Sequence, residues 1–135
     1  RHPDHGRSAQ LVSDASFLSG LVKIETTENG IAQEPWRPKY VLHYIQDRYL
    51  TPDFVVDISA FADIKLQSIL AYTTQFHDPN STEPQTYISS PQFINSVQSR
   101  DQMWGQQIGV AFAEGFISEK LIGVQSMDAF IQNVT

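Results

Sequence analysis

The chain opens Arg1-His2-Pro3-Asp4-His5, two histidines three positions apart bracketing an aspartate. Imidazole and carboxylate are the ligands that a borderline metal such as zinc accepts. They are also the side chains that exchange protons near neutral pH. Pro3 stiffens the turn between them. A reactive turn needs a rigid element on each side to hold its geometry, and no strand leads into this one. The expectation is that these 135 residues are the C-terminal part of a longer protein, beginning just before a metal-site loop.

Periodicity gives the elements that would position the motif. From Ser8 to Leu21, the residues Leu11, Val12, Ala15, Phe17, Leu18 and Leu21 recur at helical spacing, with Gly20 near the end. A helix starting directly after the turn would bring its terminal amides close to Asp4, where they favour an anionic group. Glu25 to Pro38 holds Asn29-Gly30, Pro35 and Pro38 and reads as a surface excursion. Tyr40 to Ile45 and Phe54 to Ile58 are aromatic or β-branched and predict two strands. Their near-continuous apolar character predicts cover on both faces, as in parallel or mixed α/β sheets. Ser59 is placed to cap a helix through about Phe76 that carries Phe61, Ile64, Ile69 and Tyr72. The polar, proline-rich stretch from His77 to Pro91 reads as a loop. Pro91 suits the first turn of a helix to roughly Val110, with Phe93, Val97, Met103, Trp104 and Ile108 as buried positions. From Ala111 the tail holds short apolar groups and a last helical turn capped by Ser126. This is an α/β pattern with a thin sheet, which again suggests a further N-terminal half.

Composition narrows the function classes. Hydrophobic residues at 41% and charged residues at 18% exclude a disordered chain and describe an ordinary globular one. With a net charge of −6 and no basic run, neither nucleic acid nor an anionic membrane surface is an expected partner. The longest apolar stretches, such as Phe54 to Ile58, are too short to span a bilayer. The absence of cysteine excludes disulfides and thiolate ligation and fits a cytoplasmic location. The triplets Asn80-Ser81-Thr82 and Asn133-Val134-Thr135 read as chance matches to a glycosylation signal.

Four ordered segments extend the argument: RHPDHGRSAQLV at 1–12, PDFVVDIS at 52–59, SRDQMWGQQIGV at 99–110 and AFAEGF at 111–116. Together the chain resembles the LmbE/PIG-L family of zinc-dependent N-acetylglucosaminyl deacetylases, nearest to those of bacillithiol biosynthesis. The segments and the intervals between them cover nearly the whole chain. The resemblance implies the C-terminal part of a Rossmann-like α/β fold, a mixed sheet flanked by helices. It implies hydrolysis of the acetyl amide of an N-acetylglucosaminyl conjugate, with N-acetylglucosaminyl-malate the first candidate. It also implies one zinc held by two histidines and an aspartate, and assembly into a homo-oligomer. The family takes one His, one Asp and the general base from an His-Pro-Asp-Asp motif, which does not occur in these residues.

Residue by residue, the resemblance implies that His5 is a zinc ligand. His2 and Asp4 would form a hydrogen-bonded pair, with His2 donating a proton to the departing amine or both orienting the turn. Arg1 and Arg37 would face the substrate, a guanidinium suiting an anionic aglycone. The position where relatives present a tyrosine to the tetrahedral intermediate falls on Phe93, leaving Tyr87 or the zinc alone for that role. Asp57 and Arg100 read as structural groups at element ends, and His43 and His77 as a core and a surface histidine. The alternative is a non-catalytic binding or assembly module lacking a complete metal site.

Overall fold

In the computed structural model, which describes residues 2–76, 82 and 84–130, the chain is α/β, with small antiparallel sheets flanked by helices. In chain order the elements are α1 (Asp4–Leu18), β1 (Thr27–Glu28), β2 (Ile31–Ala32), β3 (Leu42–Tyr44) and β4 (Phe54–Asp57), then a 3-10 turn (Ser59–Phe61), α2 (Ala62–Leu70), α3 (Pro91–Ile108) and β5 (Ala113–Ser118). A 3-10 turn at Met127–Phe130 follows. One sheet is the β1-β2 hairpin and the other has the order β3-β5-β4. The chain divides into two compact units, Arg1–His43 with Ser118–Thr135, and Tyr44–Ile117.

The Tyr44–Ile117 unit has an apolar core. β4 and β5 pair antiparallel, with Phe54 opposite Phe116 and Asp57 opposite Ala113. α3 begins where Pro91 costs nothing, because a first-turn N–H has no helical acceptor, and Ser90 Oγ accepts from Phe93 N at 3.3 Å. It ends at Gly109, whose φ of 77° is the left-handed conformation that a side chain disfavours. Its inward face presents Phe93, Val97, Asp101 and Trp104, and Trp104 closes on Ile45 and Ala113. Gly115 makes this possible: a Cβ there would stand 2.9 Å from Trp104 Cη2 and 3.0 Å from Pro52 Cβ.

The other unit is built differently. No residue of α1 is buried; its half-buried positions are Ala9, Ser13 and Ser16, while Leu11, Val12, Phe17 and Leu18 are exposed. The excursion read at Glu25 to Pro38 contains a hairpin. Asn29 and Gly30 both have positive φ (52° and 79°), the pattern of a tight turn whose twist matches two antiparallel strands.

Several boundaries differ from the sequence expectation. α1 starts at Asp4 rather than Ser8, with its N-cap Pro3 already at φ −63° and ψ −19°, so Asp4 and His5 lie inside the helix. Proline has that φ built in, and an acidic residue suits a first turn. Ser59 does not cap α2: its hydroxyl donates to Phe112 O at 3.3 Å and accepts from Phe112 N at 3.1 Å. α2 stops at Leu70 instead of Phe76. Its half-buried face is Ala62, Lys65, Leu66 and Ile69, leaving Phe61, Ile64 and Tyr72 exposed. Met103 is also exposed, because Asp101 and Gly105 share the inward face of α3 with Trp104. The strands are not covered on both faces, since Leu42, Tyr44 and Val56 are exposed. β5 occupies residues that read from sequence only as an apolar part of the tail. Ser126 does cap the last turn, accepting from Asp128 N at 3.1 Å.

Candidate functional site

Asp4 and His5 open the first turn of α1, and His2 and Pro3 lead directly into it. His2 Nδ1 lies 3.0 Å from Asp4 Oδ2 and 3.4 Å from the Asp4 backbone N. A protonated Nδ1 donates to the carboxylate; a bare Nδ1 accepts from the N–H. The shorter contact is the one that leaves Nε2 as the working nitrogen of an oriented imidazole. Arg7 Nη1 is 3.9 Å from Asp4 Oδ1, a long surface pair that adds little. His5 is exposed on the same turn, with its backbone N–H donating to His2 O at 3.3 Å. The structure therefore places His2, Asp4 and His5 together, all open to solvent.

Arg37 is placed elsewhere. Its Nη2 donates to Phe17 O at 2.9 Å, and its guanidinium stacks 4.5 Å over the Phe17 ring. A cation belongs at a helix C-terminus, where carbonyls lack partners. Twelve residues separate His5 from Phe17, about 18 Å along the helix axis, so Arg37 is not brought to the motif. Arg1 and His77 lie outside the described residues, as do Asn80, Ser81 and the Asn133 triplet.

Phe93 is buried between aromatic neighbours, stacked on Phe76 at 5.8 Å and met edge-on by Tyr87 at 5.4 Å. Tyr87 donates its hydroxyl to Asp47 Oδ1 at 3.1 Å, and that carboxylate holds the phenol pKa above its usual value. Asp57, at the end of β4, accepts from Ser59 N at 2.8 Å, which with the Ser59 hydroxyl lowers its carboxyl pKa. Arg100 lies 5.2 Å over the Trp104 ring and donates to Asp47 O at 3.2 Å.

Two polar clusters were not singled out in the sequence. In the first, Glu119 Oε1 accepts from Ser13 Oγ and lies 2.8 Å from His43 Nε2, so His43 is a paired, partly exposed histidine rather than a core one. The Ser13 bond, then the His43 bond, lowers the Glu119 carboxyl pKa. In the second, Lys65 Nζ bridges Asp101 Oδ2 at 2.7 Å and Glu114 Oε1 at 2.8 Å. Burial raises the Asp101 pKa, and the bond from Lys65 opposes the rise. A small open pocket of about 30 Å³ runs beside this pair, between the apolar faces of α2 and α3 at Leu66, Ile69 and Val97. A signal for Asp101 was present, a charge on the apolar stripe of α3. Glu119 gave none, its partners being 76 and 106 residues away.

Imidazole and carboxylate suit zinc chemically. Among the described residues, however, no three His, Cys, Asp or Glu side chains converge so as to hold a metal ion. The start of α1 carries one imidazole paired with a carboxylate and, beside it, a second exposed imidazole. Among the described residues, no helix is long and apolar enough to cross a membrane.

No family model matches the sequence. Among solved structures, the chain is similar to the conserved protein TT1542 from Thermus thermophilus, with a TM-score of 0.69 and 30% identity. The match covers 93% of this chain and 50% of that one, so the chain spans about half the length of that protein.

Proposed function

We propose that this chain is the C-terminal part of an LmbE/PIG-L-type N-acetylglucosaminyl deacetylase with a Rossmann-like fold. In this reading the motif is the half of a zinc site that α1 presents. The observation that carries the reading is the opening turn of α1, where an aspartate-held imidazole stands beside a second, exposed histidine. The match to half of a longer protein also supports it.

His5 would be the zinc ligand, and the remaining ligands and the base would come from outside the described residues. Zinc bound there would polarise the acetyl carbonyl and acidify its bound water. His2, with Nδ1 turned to Asp4, would hand a proton from Nε2 to the departing amine. The substrate would be an N-acetylglucosaminyl conjugate, with N-acetylglucosaminyl-malate first to be tried, and the enzyme would work in the cytoplasm as a homo-oligomer.

His5→Ala in the full protein should abolish both zinc uptake and acetate release, measured by metal analysis and an amine-detecting assay. An active His5→Ala variant with stoichiometric zinc would overturn the ligand assignment. A second reading, an assembly module without catalysis, is favoured by the exposed apolar residues of α1, with Leu11 at 68% and Phe17 at 57%. It expects no zinc in the wild type, and a mass by light scattering that falls in Leu11→Ser.

A further inference from the structure

Resting on the deacetylase reading, we infer that Glu119 is a positioning residue for the motif: it fixes α1 through Ser13 and thereby sets where Asp4 and His5 stand. The argument begins with what α1 lacks. No residue of α1 is buried, and its half-buried face is Ala9, Ser13 and Ser16. Such small side chains interlock poorly, so packing alone sets neither the rotation nor the axial position of the helix. The polar contacts decide both.

Among the described residues, two sets of these contacts join α1 to the rest of its unit. At its C-terminal end Arg37 grips Phe17 O, and Trp36 N donates to Ser19 O at 2.9 Å. In its middle Glu119 accepts from Ser13 Oγ. Glu119 is itself held: its backbone N donates to Val41 O at 3.2 Å, and His43 Nε2 meets the same carboxylate oxygen at 2.8 Å. The lowered carboxyl pKa keeps this acceptor ionised through neutral pH. His5, Ala9 and Ser13 succeed one another at intervals of four along one side of the helix. Ser13 is about 12 Å along the axis from His5, and the intervening turns transmit its position rigidly.

Loss of Glu119 should release the helix without unfolding it. Ser13 Oγ also lies 3.0 Å from Ala9 O, so the hydroxyl keeps an acceptor within its own helix. Two near-isosteric variants separate the contributions. Glu119→Leu removes the acceptor, while Glu119→Gln keeps an oxygen that can take the Ser13 bond.

The test is amide hydrogen exchange on the full protein at neutral pH, with zinc titrated into the same samples. In Glu119→Leu the amides of residues 7–13 should exchange at least about tenfold faster, the equivalent of one hydrogen bond to a charged group. Glu119→Gln should recover most of that protection, and α3 amides should not change in either variant. Zinc should bind at least about tenfold more weakly to the Leu variant and recover in the Gln variant. Unchanged α1 exchange in Glu119→Leu overturns the inference, as does zinc affinity that ignores faster exchange. If Glu119→Leu also loses α3 protection, Ser13→Ala removes the same anchor from the helix side and decides the matter. A wild type that takes up no zinc overturns the deacetylase reading, while the exchange data still decide the anchor.

Discussion

Each of the two units of this chain is stabilised by different physics. In Tyr44–Ile117 the organising feature is burial: Ile45, Phe93, Val97, Trp104 and Ala113 all fall there, and Trp104 is 1% exposed. In the other unit the described contacts are mainly polar and near the surface: Arg37 on Phe17 O, Glu119 on Ser13 and His43, and the β1-β2 hairpin. The chemistry-bearing motif belongs to the second kind of region. Segments with few buried apolar contacts open at lower free energy than cores do. The lesson is that the motif depends on directional contacts that one substitution can release, while the packed unit fails when its core volume is altered or a buried charge loses its partner.

Perturbations of the core give the largest expected effect. Trp104→Ala should cost about 3–5 kcal/mol in urea unfolding, because it deletes the side chain on which Ile45 and Ala113 close. A loss below about 1 kcal/mol would break the contrast between a buried and a tethered unit.

Next comes the ion cluster. Lys65→Met leaves Asp101 and Glu114 as two carboxylates without their shared cation, at a cost of about 3 kcal/mol at neutral pH. The effect should depend on pH with a definite sign. Burial already raises the Asp101 pKa in the fold, and the bond from Lys65 opposes that rise. The folded chain therefore binds this proton more tightly than the unfolded chain does. Its contribution to stability is fully present at low pH and falls as pH climbs from the ordinary carboxylate range through the raised folded value. Urea midpoints should show the Met variant recovering towards wild type on acidification, and a deficit that grows instead would reverse the assignment of burial as the dominant cause.

The smallest effect should come from the surface of α1. Leu11→Ser, at a position 68% exposed, should change the stability of the isolated chain by no more than about 0.5 kcal/mol. A loss of several times that would mean that Leu11 is covered in solution, sharpening the case for assembly through this face.

What the sequence determined by itself lies within a few residues of its own signal. Pro91 at the start of α3 and an end for that helix near Val110, the strands near residues 42–44 and 54–57, and the Ser126 cap follow from local turn chemistry and periodicity. The pairing of His2 with Asp4 was an implication of the family resemblance, and the structure brings the two within 3.0 Å. Tertiary structure alone decided the rest. Ser59 was legible as a helix cap, but it bridges to Phe112, 53 positions away. The apolar stripe of α1 was legible, but small residues sit on its half-buried face, so its exposure could not be foreseen. The resemblance placed Arg37 facing the substrate, yet it sits at Phe17, about 18 Å along the helix axis from His5. Propensity and capping are set by neighbouring residues, whereas burial and hydrogen-bond partners are set by whatever distant segment the fold brings near, and no spacing in the chain records that choice.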